Sequence, residues 1–270
     1  MTTTQTNGTS QNDTAAVDFA GLYDDHVEYS ARRVRGSFEQ EKVAIEVAAF
    51  KVPNLVRLLP RGWTPRRVLE IGCATGELIA AFPVAPDGHR VGIDISQSNI
   101  SSARERFSAV EFHAGNFTNL SMPGFDCVIL SDILEHVEDD VRFLADAACL
   151  GEYVLVNLPL EDNWINRNRN YGIDDASGHL RKYSLEQGLD LLKHAGLDVL
   201  EYHRIWAHET TVLRECRQLR HRHFGAEYSG GTAARVLKRM VMQLACAFPP
   251  IGRRLFPSNL FAIAQKSVNV

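Results

Sequence analysis

"VLEIGCATGELIA" (residues 68–80) decides how the chain is read. A strand-forming run breaks into small residues and then turns helical, the pattern of a strand–turn–helix floor beneath a nucleotide. A P-loop would need G-x-x-x-x-G-K-[S/T], and no such lysine is present. A dinucleotide fold would need G-x-G-x-x-G, but counted from Gly72 the second glycine position is Ala74 and the third is Glu77. What stands there is E-x-G-x-x-x-G, made by Glu70, Gly72 and Gly76. A Cβ on either glycine would obstruct the turn or the close approach of a ligand.

Outward from this unit, strand and helix alternate. β-rich runs occur at 67–71, 90–94, 110–113, 126–130, 153–157 and 198–203, with helical stretches between them. The helix in "LEQGLDLLKHA" is bounded by an S-x-x-Q capping box at Ser184 and Gln187 and stopped by Gly196. A last β-like run, "NLFAIAQ" (259–265), follows only after a long gap. Such alternation predicts a parallel sheet with helices on both faces. Ahead of the turn, Val43, Val47 and Phe50 fall at i, i+4, i+7 and predict an apolar helical face.

Motif I of the class I S-adenosylmethionine-dependent methyltransferases resembles the Glu70–Gly76 unit, and four later features arrive in the family's order. Asp94 ends the second strand in "VGIDIS", Asn116 follows the third in "FHAGNFTNL", and "SDILEHVED" (131–139) resembles the family's motif IV. "GHLRKY" (178–183) resembles the signature before its last major helix. The resemblance implies a Rossmann-like, doubly wound α/β fold. Its seven-stranded sheet has the last strand antiparallel. It implies S-adenosyl-L-methionine as cofactor, held by the turn Glu70, Gly72, Cys73, Ala74, Thr75 and Gly76. Asp94 would accept the ribose hydroxyls and Asn116 the adenine amine, with Ile95, Phe117 and Ser131 also among the cofactor-binding residues. An Asp94 that merely caps the next helix is an equally good account of that residue.

The implied organisation is a disordered polar tail (1–16), an N-terminal helical cap (17–62), a core (63–203 and 259–270) and a helical cap insertion (204–258). The formal net charge is −4, yet residues 204–258 carry ten Lys/Arg against three Asp/Glu. That balance gives no general nucleic-acid footprint. Five cysteines without a C-x-x-C pair fit a reducing compartment, and "MTTTQTNGTSQNDTAA" lacks the features of a signal peptide. With no apolar run of about 20 residues, the expectation is a cytoplasmic protein.

Methyl transfer needs alignment of an acceptor lone pair, and an alcohol acceptor also benefits from a base near neutral pH. His136 and His179 are the two histidines placed for that role, with Tyr183 behind them; each histidine could equally order a loop through backbone hydrogen bonds. Arg167 and Arg169, with Arg214, Arg217, Arg220 and Arg222 of the insertion, suit a polar, anionic small-molecule acceptor such as a sugar or natural-product intermediate, or form a solvated face. Residues 235–256 mix basic ends with an apolar middle and could touch a membrane surface, although a cap helix is the simpler account. Asp132, Glu135, His136 and His179 give D-x-x-E-H…H, similar to the E-x-x-E-H…H magnesium site of small-RNA 2′-hydroxyl methyltransferases, but no metal is expected. A noncatalytic cofactor-binding sensor is the other open reading.

Overall fold

One seven-stranded sheet organises the molecule, in the order β3-β2-β1-β4-β5-β7-β6. The computed structural model describes residues 37–119, 124–172, 175, 177–225, 243–244 and 247–267. The tail 1–16, residues 17–36 of the N-terminal segment and much of 235–256 lie outside the described residues. The strands are β1 (Arg67–Ile71), β2 (His89–Asp94), β3 (Glu111–Ala114), β4 (Phe125–Ser131), β5 (Gly151–Leu160), β6 (Leu197–Trp206) and β7 (Ser258–Lys266). β1 to β5 pair in parallel, whereas β7 lies antiparallel between β5 and β6. The expected topology is therefore present. β5 runs further than its apolar core 153–157, because its ladder with β7 continues to Leu160 opposite Ser258.

Burial on both faces explains why the central strands read as continuous apolar runs. Val128 and Leu130 of β4 join a core with Leu144 and Leu192, while the alternating Cys127 and Ile129 join another with Ile79 and Phe261. The N-terminal rod comprises α1 (Ser37–Glu46), a π-helical turn (Val47–Lys51) and α2 (Val52–Val56). Its apolar face docks as its spacing predicts. Val47 and Phe50 are buried, and Phe50 meets Phe261 edge-on at 5.4 Å. After the turn comes α3 (Glu77–Ala81), followed by α4 (Gln97–Arg106), α5 (Asp140–Ala148) and α6 (Leu185–His194). The capping box of Ser184 and Gln187 is formed.

Within 204–258, β6 continues to Trp206, whose ring stacks on Phe256 at 5.1 Å. Further along, α7 (Val212–Phe224) packs on α1, with Phe38 edge-on to Phe224 at 4.9 Å and His223 Nε2 3.1 Å from Glu41. A short α8 (Pro249–Leu255) precedes β7. Among the described residues no helix is long and apolar enough to cross a membrane.

Gly76 caps α3 with a left-handed φ of +85°, and a Cβ there would come within 2.7 Å of Phe112 Cζ. Gly76→Ala is expected to cost roughly 1–3 kcal/mol through backbone strain and this collision, read as a lower urea midpoint at unchanged m-value.

Candidate active site

Strand order reverses between β1 and β4, so their loops diverge and leave a crevice at the carboxyl ends. A cavity of about 1070 Å³ opens there. Of the expected residues, Gly72, Ala74, Thr75, Asp94, Ile95, Asn116, Phe117, His136 and His179 line it. The others sit behind the wall. Glu70, Cys73 and Ser131 are buried, and Gly76 faces Phe112. α1 closes one side through Glu39, Gln40, Lys42, Val43 and Glu46.

The turn is held open by one carboxylate. Asp94 Oδ2 accepts the Ala74 N–H at 2.8 Å and Oδ1 accepts the Ser96 N–H at 2.9 Å. Oδ1 also accepts from Asn99 Nδ2 at 3.3 Å, and the carboxylate, an acceptor-only group, lines the cavity. Asp94 is not the helix cap, since Ser96 caps α4 by accepting from Asn99. Gly72 adopts φ +76°, and a Cβ on it would collide with Ile133. Asn116 Oδ1 accepts the Thr118 N–H at 3.0 Å, which orders the loop after β3. Phe117 is buried against Phe143 at 4.9 Å. A ribose diol at Asp94 and a flat base beside Ile95 and Phe117 fit this wall, and the missing Cβ of Gly72 is the space that Ile133 fills.

Beside the turn lies a partly buried charge cluster that spacing could not reveal. Lys51, from the π-helical turn, sits 2.7 Å from Asp132. Asp132 has a left-handed φ of +53° and accepts from Asn157 at 3.1 Å, while Ser131 Oγ is 3.1 Å from the same carboxylate. Glu70 Oε2 is buried without a hydrogen-bond partner, and burial pushes that carboxyl up to about 8 against the pull of Lys51. Cys73, a ligand candidate by position, packs where a Cβ on Gly92 would strike its sulfur; burial raises its thiol far above the ordinary range.

The two expected histidines come together. Their rings stand edge to face, 4.8 Å between centroids, on the cavity wall. His136 Nδ1 lies 2.9 Å from the Gly178 carbonyl, and His179 Nδ1 lies 2.6 Å from Glu161 Oε2. Burial first, and His179 second, lower His136 to about 4. Beneath them Glu135 is buried with neither carboxyl oxygen hydrogen-bonded, and burial and Asp132 hold its pKa well above normal. Ligand atoms of Glu135, His136 and His179 lie within 4.8 Å of one another, close enough to converge on a divalent cation; Asp132 is not in this group. Tyr183 is no base. Its hydroxyl is 2.6 Å from Asp140 and 3.2 Å from the Leu134 carbonyl, and burial raises its pKa.

None of the arginines expected to face an anion lines this cavity. Arg169 is spent on Glu161 and Asp175, Arg167 lies over the Trp164 ring at 4.3 Å, and Arg214, Arg217, Arg220 and Arg222 are exposed on α7. Lys51, Asn157, Glu161 and Asp175 were not foreseen as site residues. Only the tertiary fold brings them there.

Residues 41–202 match the model of a methyltransferase domain family. A probable S-adenosylmethionine-dependent methyltransferase of Mycolicibacterium smegmatis is 29% identical over 140 residues, 50% of this chain and 52% of its own. The 27-O-demethylrifamycin SV methyltransferase of Amycolatopsis mediterranei is 28% identical over 179 residues, covering 56% of this chain and 65% of its own. The chain thus spans about half to two thirds of the length of these two curated relatives. Among solved structures, magnesium protoporphyrin IX methyltransferase of Synechocystis with bound S-adenosylhomocysteine shares the fold at TM-score 0.56 and 13% identity, covering 92% of this chain and 98% of its own.

Folded, Glu70 keeps its proton to about pH 8; unfolded, it loses it near 4.5. Stability contributed by this group is therefore full below the unfolded value and drains as pH rises through the folded one. Glu70→Gln, which cannot ionise, should remove on the order of 3 kcal/mol of that loss. Urea unfolding without ligand at pH 6 and pH 9 measures it, and parallel pH dependence of variant and wild type would refute it.

Proposed function

Since the chain belongs to the class I S-adenosylmethionine-dependent methyltransferases, we propose that it methylates a hydroxyl of a small polar metabolite, a natural-product, sugar or glycan intermediate. The observation that carries this reading is the histidine pair on the wall of the same cavity as the cofactor turn. S-adenosylmethionine supplies an electrophilic methyl on a positively charged sulfur. The chain's own residues do the rest. Gly72 and Ala74, in the turn, bind the cofactor's methionine portion, Asp94 accepts ribose hydroxyls, and Asn116 and Phe117 flank the base.

At about 1070 Å³ the cavity exceeds what one drug-sized ligand fills, leaving room for an acceptor beside the cofactor. α1 closes one side of that space. Proximity then supplies much of the rate, and a histidine takes the hydroxyl proton. His179 is the better base, because its partner is a carboxylate whereas His136 is held well below its ordinary value by burial. In this reading the described parts of the two expected cap segments, 37–62 and 204–225, meet through the α1–α7 contact, and the enzyme is cytoplasmic. The rifamycin relative supports the natural-product assignment.

A second reading follows from the convergence of Glu135, His136 and His179. A divalent cation held there would polarise the acceptor oxygen directly. Calorimetric titration with Mg²⁺, Mn²⁺ and Zn²⁺ should then give saturable heats that vanish in Glu135→Gln. No heat from any of the three ions removes this reading.

The main test is calorimetry with S-adenosylmethionine and S-adenosylhomocysteine. Saturable binding is expected, lost in Asp94→Ala. Screening of acceptors, nucleotide sugars first, should then find turnover that drops roughly 10²–10⁴-fold in His179→Gln. Absence of cofactor binding by folded protein would sink the proposal.

A further inference from the structure

β5 ends at Leu160, and the next residue, Glu161, meets a loop that returns through Arg169 and Asp175 to His179. The two carboxyl oxygens of Glu161 have different partners. Oε1 accepts from Arg169 Nη1 at 2.7 Å, and Oε2 lies 2.6 Å from His179 Nδ1. Arg169 is itself clamped on Asp175, with Nε and Nη2 donating to its two oxygens at 2.8 and 2.7 Å. Asp175 also accepts the backbone N–H of Ser177 at 2.9 Å and of His179 at 3.3 Å. The chain runs from the His179 backbone through Asp175, Arg169 and Glu161 back to the His179 ring. It is a closed circuit. His179 and Glu161 side chains are only 14% and 13% exposed, so the pair is shielded enough for each bond to hold its geometry.

We propose that Glu161 is the positioning residue of the reaction, fixing His179 in the tautomer that carries its proton on Nδ1 and offers Nε2 to the acceptor. The inference rests on the reading of His179 as the proton acceptor. A carboxylate can only accept a hydrogen bond, so the ring nitrogen facing it must be the donor. Nε2 then keeps its lone pair. When the acceptor's hydroxyl proton passes to Nε2, the ring becomes an imidazolium and the negative charge of Glu161 balances it across the existing bond. Arg169 and Asp175 do not touch that proton; they fix which way the Glu161 carboxylate points. Held by Asp175 with its carboxyl pushed down to about 2, Arg169 stays a donor throughout the working pH range.

This circuit predicts what an isosteric amide does. In Glu161→Gln, Arg169 still demands an acceptor, so the amide oxygen turns to it and the amide NH₂ faces His179. Nδ1 becomes the acceptor, and the ring proton moves to Nε2, the wrong atom. The experiment uses the full chain, freed of bound cations by a chelator and labelled with ¹⁵N-histidine; His179 is assigned by its loss in His179→Gln. Long-range ¹H–¹⁵N correlation should show the Nδ1–H tautomer in the wild type and the Nε2–H tautomer in Glu161→Gln. Carbethoxylation of His179 by diethyl pyrocarbonate, followed by peptide mass spectrometry, should slow by about tenfold or more in the variant. S-adenosylhomocysteine affinity should be unchanged. An Nε2–H tautomer in the wild type overturns the proposal even if the variant fails to fold. So does a variant that keeps Nδ1–H and the wild-type carbethoxylation rate. Methyl transfer that survives in His179→Gln would instead remove the general-base reading while leaving the tautomer result intact.

Discussion

The reversal of strand order between β1 and β4 is the constraint on which the site depends. β1 leads towards β2 and β3 on one side, and β4 towards β5 on the other, so their loops diverge at the shared carboxyl edge. The glycine turn, Asp94 and the histidine loop all reach that opening because their strands end there. Within it, the Asp94 carboxylate joins the β2 end to the turn after β1 by accepting the Ala74 N–H. One side chain therefore both shapes the cofactor wall and belongs to it.

Much of this was legible in the sequence, for a physical reason. A doubly wound sheet buries its central strands on both faces, so apolar runs mark them without tertiary information. The capping box at Ser184 and the glycine requirement at Gly76 are likewise local, set by hydrogen bonds and φ within a few residues. What stayed hidden is long-range and electrostatic. Lys51 and Asp132 meet across 81 residues of sequence, and no periodicity encodes that. Arg169 of "NWINRNRNY" read as a ligand for an anion because its carboxylate partners, Glu161 and Asp175, lie at positions that only the fold brings near.

Charge is distributed with a consistent logic. Exposed cations line the outer helix α7, whereas the carboxylates of Glu70, Asp94, Asp132, Glu135 and Glu161 gather at or beneath the cavity. Such a concentration of acid groups in a poorly solvated region is unfavourable in isolation. Lys51, Arg169 and the positive charge of the cofactor are the groups that balance it, and burial itself raises the pKa of Glu70 and Glu135. The site is thus matched to a cationic ligand on the cofactor side before any acceptor is considered.

β7 occupies an interior place in the sheet although it follows β6 by about fifty residues. β6 has β7 as its sole ladder partner among the described residues, so it has no edge to join until the later strand inserts. During synthesis, the half of the sheet from β3 to β5 can assemble first, leaving the β5 edge and the whole of β6 waiting with unfilled backbone groups. Lengthening the 207–257 connection costs little at equilibrium, since loop closure grows only logarithmically with length. It prolongs the interval in which those edges stand open. Length in this connection is therefore cheap at equilibrium and costly in the kinetics of assembly.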